Sequence, residues 1–155
     1  MKLTSEALRN GEIPVRYSKD SENISPPLSW SDLPAQTKEL ALLFENITPG
    51  TKEPFVQWLV YKIPPDQGGV PEGYKHKRDP KEPVDVLQGR NSLGNVGYDG
   101  PLGTLHRPIR YRFRLFALDQ PLDLPPGMDK EAFLQAASGH IIEQSDLIAT
   151  YERGP

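Results

Sequence analysis

Apolar residues along this chain gather in short runs separated by proline, glycine and charged residues. The clearest run is "IRYRFRLFALD" (109–119). Ile109, Tyr111, Phe113 and Leu115 alternate with Arg110, Arg112 and Arg114, and a period of two places the two sets on opposite faces of a strand. The arginine side reads as a solvated face, paired with carboxylates on a neighbouring strand. "ELALLFE" (39–45) and "FVQWLVYKI" (55–63) are further strands, rich in aliphatic and aromatic residues. "IPVRY" (13–17) reads as a short extended segment. "NISPPLSWSDLP" (23–34) carries three prolines and reads as loop or sheet edge, because proline supplies no ladder donor.

The pattern changes near the C-terminus. Asp129 is placed to cap a helix over "KEAFLQAAS", after Pro125-Pro126-Gly127 and with Gly139 as its stop. "HIIEQSDLIATYER" (140–153) is read as a second short helix running into a terminal strand at 147–152. Residues 73–103 are rich in glycine and proline and mostly irregular. So long a stretch without regular elements points to a functional loop.

Composition narrows the classes. The chain has 155 residues, enough for one domain with a single core, and no internal repeat or linker divides it. Its 17 prolines, roughly twice average usage, are dispersed between the apolar runs and suit a mainly-β fold. A formal net charge of −3 offers no long-range attraction to nucleic acid or an anionic membrane. Cysteine is absent, which excludes disulfides, thiol nucleophiles and cysteine-ligated metals. The opening "MKLTSEALRNGEIPVRY" lacks an apolar signal core, and no run is long enough to span a membrane, so a cytoplasmic protein is expected. There is no G-x-S-x-G, G-x-G-x-x-G or G-K-[ST] motif, and His76, His106 and His140 are far apart. The expectation is therefore no metal, no cofactor and no catalytic residues.

Five blocks in order carry a resemblance: "DSENISPPLSWSDLPAQTKELALLFE", "WLVYKIPP", "QGRNSLGNVGYDGP", "YRFRLFALD" and "SGHIIEQSDLIATYER". Together they resemble the phosphatidylethanolamine-binding proteins, in the bacterial Raf-kinase-inhibitor-like branch, from about Leu3 to Arg153. The resemblance implies a sandwich of two antiparallel sheets with short C-terminal helices, and a small anion pocket at one end that takes phosphate-like groups, including phospholipid head groups. That pocket is built in the family from a D-P-D-x-P loop, a W-x-H-W stretch, a G-P-x-P-P-x-G loop and an H-R-Y strand start.

Carried onto this chain, the first motif falls on Glu45, Asn46, Ile47, Thr48 and Pro49, and the second on Phe55, Val56, Gln57 and Trp58. The third falls on 100–106, with Gly100, Pro101 and His106, and the fourth on Ile109, Arg110 and Tyr111. The implied ligand-binding set is thus Glu45, Thr48, Pro49, Phe55, Gln57, Gly100, Pro101, His106, Ile109 and Tyr111. Gln57 and Ile109 stand where the family has histidines, so the pocket is less cationic. Gln57 still donates a hydrogen bond but carries no charge, while backbone N–H groups near Gly100 and Gly103 offer an anion nest.

The leading expectation is a binding protein for a small anionic or zwitterionic ligand, phosphate-like or head-group-like, with Glu45, Gln57 and Tyr111 converging on one hollow. The alternative is a regulatory interaction protein resembling the kinase-inhibitor members, in which a protein partner docks on surface loops and the pocket is vestigial. A homodimer stays open. An enzyme using Glu45 as general base is the least favoured, because no positioned nucleophile accompanies it.

Overall fold

The computed structural model describes residues 1–48, 53–75, 85–103 and 107–153. Among the described residues, eight strands and one α-helix make three layers. Strands β1 (Lys2–Thr4), β2 (Leu28–Ser31) and β5 (Gly69–Val70) form a small sheet in the order β1-β2-β5. Strands β3 (Glu39–Asn46), β4 (Phe55–Ile63), β6 (Leu87–Gln88), β7 (Ile109–Leu118) and β8 (Ile141–Tyr151) form a larger one in the order β6-β4-β3-β7-β8. Every pairing within the two sheets is antiparallel. The third layer is helix α1 (Lys130–Ala137), whose cap Asp129 accepts from the Ala132 N–H at 2.9 Å.

Two cores explain why β3 and β4 are apolar almost without interruption. One face of the large sheet buries Leu40, Leu42, Phe44, Trp58, Val60, Phe113 and Leu115 against Leu3, Leu28, Trp30 and Val70 of the small sheet. The opposite face buries Ala41, Leu43, Leu59, Tyr61, Phe116 and Leu118 beneath Phe133 and Ala137 of the helix. A strand covered on both faces has no solvated side to mark with polar residues. Strand β7 still alternates over its first half, because the helix covers only its second.

Two bulges disturb the β3–β4 ladder. Phe44 faces Trp58 while Glu45 faces Val56, so Gln57 is an extra residue on β4. Between Leu40 and Leu42 the partners jump from Ile63 to Val60, and Lys62 there takes a φ of 61°.

Three expected elements differ. The stretch 140–153 holds no second helix. Strand β8 runs unbroken from Ile141, paired along the whole of β7, and the ladder to β7 overrides a weak local helix preference in a segment with three isoleucines. The C-terminal part therefore carries one helix, closed by Gly139 at a φ of 81°. "IPVRY" contains a 3-10 turn at Val15–Tyr17, and only Ile13 bonds like a strand, its N–H reaching the Thr150 carbonyl at 2.8 Å. The proline-rich 23–34 stretch contributes β2, the middle strand of the small sheet, which begins just after Pro26-Pro27. Both tryptophans are buried in the inter-sheet core.

Phe133 is fully buried and is the helix's main anchor on the large sheet, beside Tyr61 and Phe116. Phe133→Ala is expected to lower the unfolding free energy by about 3–5 kcal/mol, read by urea denaturation with an unchanged m-value.

Candidate functional site

The end of the sandwich where β7 begins carries the polar residues. Antiparallel register puts Asn46 directly across from Tyr111, and Ile109 across from Tyr151. Cross-strand partners share a face, and Tyr111 packs on Phe44 at 5.6 Å between ring centroids, so this is the face turned to the small sheet. Tyr111 is only 2% exposed, and its hydroxyl makes no hydrogen bond with any described residue. Burial, reinforced by the nearby Tyr151 and the Asp20 charge, pushes its phenol well above the ordinary value. Beside it, Tyr151 donates to Asp20 Oδ2 at 2.5 Å, and Ser18 Oγ lies 2.9 Å from the same hydroxyl. Arg153 Nε stands 3.6 Å from Asp20 Oδ1.

Gln57 reaches the same end from the bulge on β4. Its Nε2 donates to the Asp99 carbonyl at 2.5 Å, and the Asp99 N–H returns to the Gln57 carbonyl at 3.0 Å. No described residue donates to Gln57 Oε1, which leaves an acceptor. Phe55 sits across from Asn46 at the start of β4, half-buried, and Thr48 Oγ1 accepts from the Arg110 N–H at 3.2 Å. Pro49 and His106 lie outside the described residues.

The 100–103 loop comes close enough to its neighbours to require glycine at two places. A Cβ on Gly100 would meet the Tyr17 carbonyl oxygen at 2.2 Å, and one on Gly103 would meet Arg153 Cβ at 2.6 Å. Pro101, buried, accepts from the Lys19 N–H at 2.8 Å. The expected anion nest is not available in this loop. The Gly100 N–H donates to Asn23 Oδ1 at 2.7 Å and the Gly103 N–H to Asp20 Oδ2 at 3.2 Å, so both donors are already satisfied inside the protein. Asn23 and Asp20 fasten this loop across more than 70 residues of chain.

Glu45 does not join the group. It is fully buried on the opposite face, across from Arg112. Its Oε1 accepts from Arg112 at 3.0 Å and Arg114 at 3.4 Å, and its Oε2 pairs with Lys130 of the helix. The physical reason is parity: Leu42 and Phe44 face the small sheet, so residue 45 must face the helix, and Asn46 takes the place beside Tyr111. The expected carboxylate partners of the arginine face are therefore Glu45 itself and, 3.8 Å from Arg114 Nε, Asp146.

A second polar network braces the irregular stretch. The Asp99 carboxylate accepts from Asn91 at 2.7 Å and Asn95 at 2.9 Å, with Lys19 Nζ at 3.4 Å. Burial works to raise its pKa, but these donors outweigh it and hold the carboxyl below its usual range. Among the described residues, no three His, Asp or Glu side chains gather closely enough to hold a metal ion.

The family model for phosphatidylethanolamine-binding protein matches residues 4–152. The chain belongs to the phosphatidylethanolamine-binding protein family. A UPF0098 protein of the archaeon Methanothermobacter thermautotrophicus is 41% identical, covering 99% of this chain and all of the relative. A UPF0098 protein of Chlamydia trachomatis is 37% identical, with 99% of both chains covered. Among solved structures, a phosphatidylethanolamine-binding protein homolog from Chlamydia trachomatis superposes with a TM-score of 0.84 at 36% identity, over 98% of this chain and 97% of that one. Escherichia coli YbcL gives 0.86 over 98% of each chain at 22% identity, a likeness of fold alone. The Gly100 and Gly103 N–H groups of the neighbouring loop are taken by Asn23 and Asp20.

Two outcomes follow from this geometry. Glu45→Ala strands three cations around an empty buried position, and should cost about 3–5 kcal/mol of stability in chemical denaturation. Asp99 has a folded pKa below its unfolded one, so its network stabilises fully above about pH 4 and the contribution is lost as pH falls through the folded value. Asp99→Asn should flatten the acid limb of a melting-temperature profile below that pH and leave its slope between pH 6 and 8 unchanged.

Proposed function

We propose that this family member binds a small head-group-like molecule at the sandwich end, through neutral hydrogen-bonding groups in place of a cationic phosphate cradle. The observation that carries the reading is the hydroxyl of Tyr111, to which no described residue bonds, with Gln57 Oε1 as an open acceptor on the neighbouring side. A hydroxyl with no protein partner is free to donate to and accept from water or a ligand. Asn46 replaces Glu45 in this site, next to Tyr111, Gln57, Ile109, Phe55, Thr48 and the Gly100–Pro101 backbone.

The charge around the site selects the ligand class. The Asp20 carboxylate lies beside Tyr111 and Tyr151, and among the described residues the cation paired with it is the half-exposed Arg153. A dianionic phosphate would approach this carboxylate with little compensation. A zwitterion fits better, its amine toward Asp20 and an oxygen accepting from Tyr111. Phosphoethanolamine-type head groups have that chemistry. A second reading, a regulatory protein that docks a protein partner, draws support from Leu93 and Val96 in the irregular loop and Leu102 at the rim, which are 50%, 49% and 65% exposed.

Phosphoethanolamine, ethanolamine and inorganic phosphate can be compared by calorimetry. Phosphoethanolamine should bind more tightly than either fragment. Tyr111→Phe and Gln57→Ala should each weaken it by about tenfold, a loss near 1.4 kcal/mol; free Tyr111→Phe should melt nearly as the wild type does, while Gln57→Ala, which also loses its bond to the Asp99 carbonyl, should melt lower. Equal isotherms for all three proteins would exclude this site.

A further inference from the structure

We infer that Asn10 is a self-modifying site: its side-chain amide closes onto the Gly11 nitrogen, loses ammonia and reopens as aspartate or isoaspartate. A bond forms between the Gly11 nitrogen and Asn10 Cγ, the Cγ–Nδ2 bond breaks, and ammonia leaves with the Gly11 proton. Water then adds to one carbonyl of the cyclic imide. Addition at the side-chain carbonyl gives isoaspartate's isomer, ordinary aspartate, through cleavage of the new bond. Addition at the main-chain carbonyl gives isoaspartate, in which the chain runs through the former side chain. Water is the sole co-reactant.

Ring closure is an intramolecular attack, so it needs a side chain free to turn and a nitrogen that can be approached. Asn10-Gly11 is the only Asn-Gly pair in the chain. Asn10 is exposed, and its side chain bonds no described residue. Gly11 takes a φ of 72°, and a Cβ placed on it would meet nothing within 4 Å. Glycine leaves its nitrogen uncovered, and the open space gives the ring room. The Gly11 N–H is held by a turn bond to the Leu8 carbonyl at 3.0 Å, which must open before the attack.

The other asparagines are in the opposite condition. Asn23 Oδ1 accepts from the Gly100 N–H at 2.7 Å, and Asn46 Oδ1 from the Thr48 N–H at 2.9 Å. Asn91 and Asn95 donate to Asp99 Oδ2 at 2.7 and 2.9 Å. Their following residues, Ile24, Ile47, Ser92 and Val96, all carry side chains. The Ile47 and Ser92 nitrogens are also engaged, each 2.9 Å from a carbonyl oxygen. Asp99-Gly100 could close the same ring, but its carboxylate and the Gly100 N–H are both held. Among the described residues, hydrogen bonding leaves this chemistry to Asn10.

The position couples the change to the large sheet. The Gly11 carbonyl accepts from the Thr150 N–H, and the Ile13 N–H donates to the Thr150 carbonyl, each at 2.8 Å. These bonds fasten the N-terminal segment to the end of β8. Isoaspartate lengthens the main chain by one methylene just before this hold. It also sets a new carboxylate beside Glu6 and Glu12, in a polar hollow of about 520 Å³ that they share with Arg9. Added length and like charge both loosen the hold.

Protein aged in mildly alkaline buffer, with each asparagine read by peptide mass spectrometry, tests this. The same chain unfolded in guanidinium chloride sets the intrinsic rate. Folded Asn10 should convert within about tenfold of its unfolded rate, and faster as pH rises. Asn23, Asn46, Asn91, Asn95 and Asp99 should stay unmodified in the folded protein. Gly11→Ala should slow Asn10 at least about tenfold, and Asn10→Gln should abolish the more acidic species on anion exchange. The acidic fraction of aged wild type should melt below fresh protein. Folded Asn10 protected by more than about tenfold, another asparagine converting first, or Gly11→Ala reacting at the wild-type rate would overturn the assignment. If Gly11→Ala does not fold, the two wild-type rates decide alone. An acidic fraction that melts as fresh protein does would overturn the coupling to β8.

Discussion

The register between β3 and β7 is the constraint on which the molecule's chemistry depends. Once Phe44 lies on Phe113, with ring centroids 3.9 Å apart, the residues that follow have no freedom. Glu45 must go to the helix side with Arg112, and Asn46 to the sandwich side with Tyr111. A slip of one residue would exchange these sets and bury the arginines between the sheets. Stacked aromatics in a close-packed core hold the register, and the buried Glu45 carboxylate, met by cations from both β7 and α1, fits only this one.

That partition gives the two sides of the large sheet different work. On the helix side, charges cancel one another and tie a short helix to the sheet. On the sandwich side, hydrogen bonds run between distant segments: Asp20 to Tyr151 and Gly103, Asn23 to Gly100, Gln57 to Asp99. Among the described residues, the Tyr111 hydroxyl and the Gln57 Oε1 are left without a protein partner on this side.

The strands were legible because their apolar runs have no competing explanation: "FVQWLVYKI" and "IRYRFRLFALD" bury what their patterns say they bury. The order of five motif blocks pointed to the family before any geometry. Residues 140–153 were misread because "HIIEQSDLIATYER" has helix formers at helical spacing, and only the presence of β7 alongside makes a strand cheaper. Glu45 was misplaced because motif matching aligns letters, whereas faces follow from counting parity along β3. The signal was available, since Leu42 and Phe44 already named the inward positions. Gln57 in a bulge had no such signal, because a bulge belongs to a pair of strands and to neither alone.

Composition, strand periodicity and motif order by themselves determined the architecture and the family, because each records how much apolar surface a segment must hide. The tertiary structure decided which polar atoms remain unsatisfied. Whether the Gly100 N–H or the Tyr111 hydroxyl is free depends on partners tens of residues away, and hydrogen bonding, being short-ranged and directional, is settled only when those partners arrive.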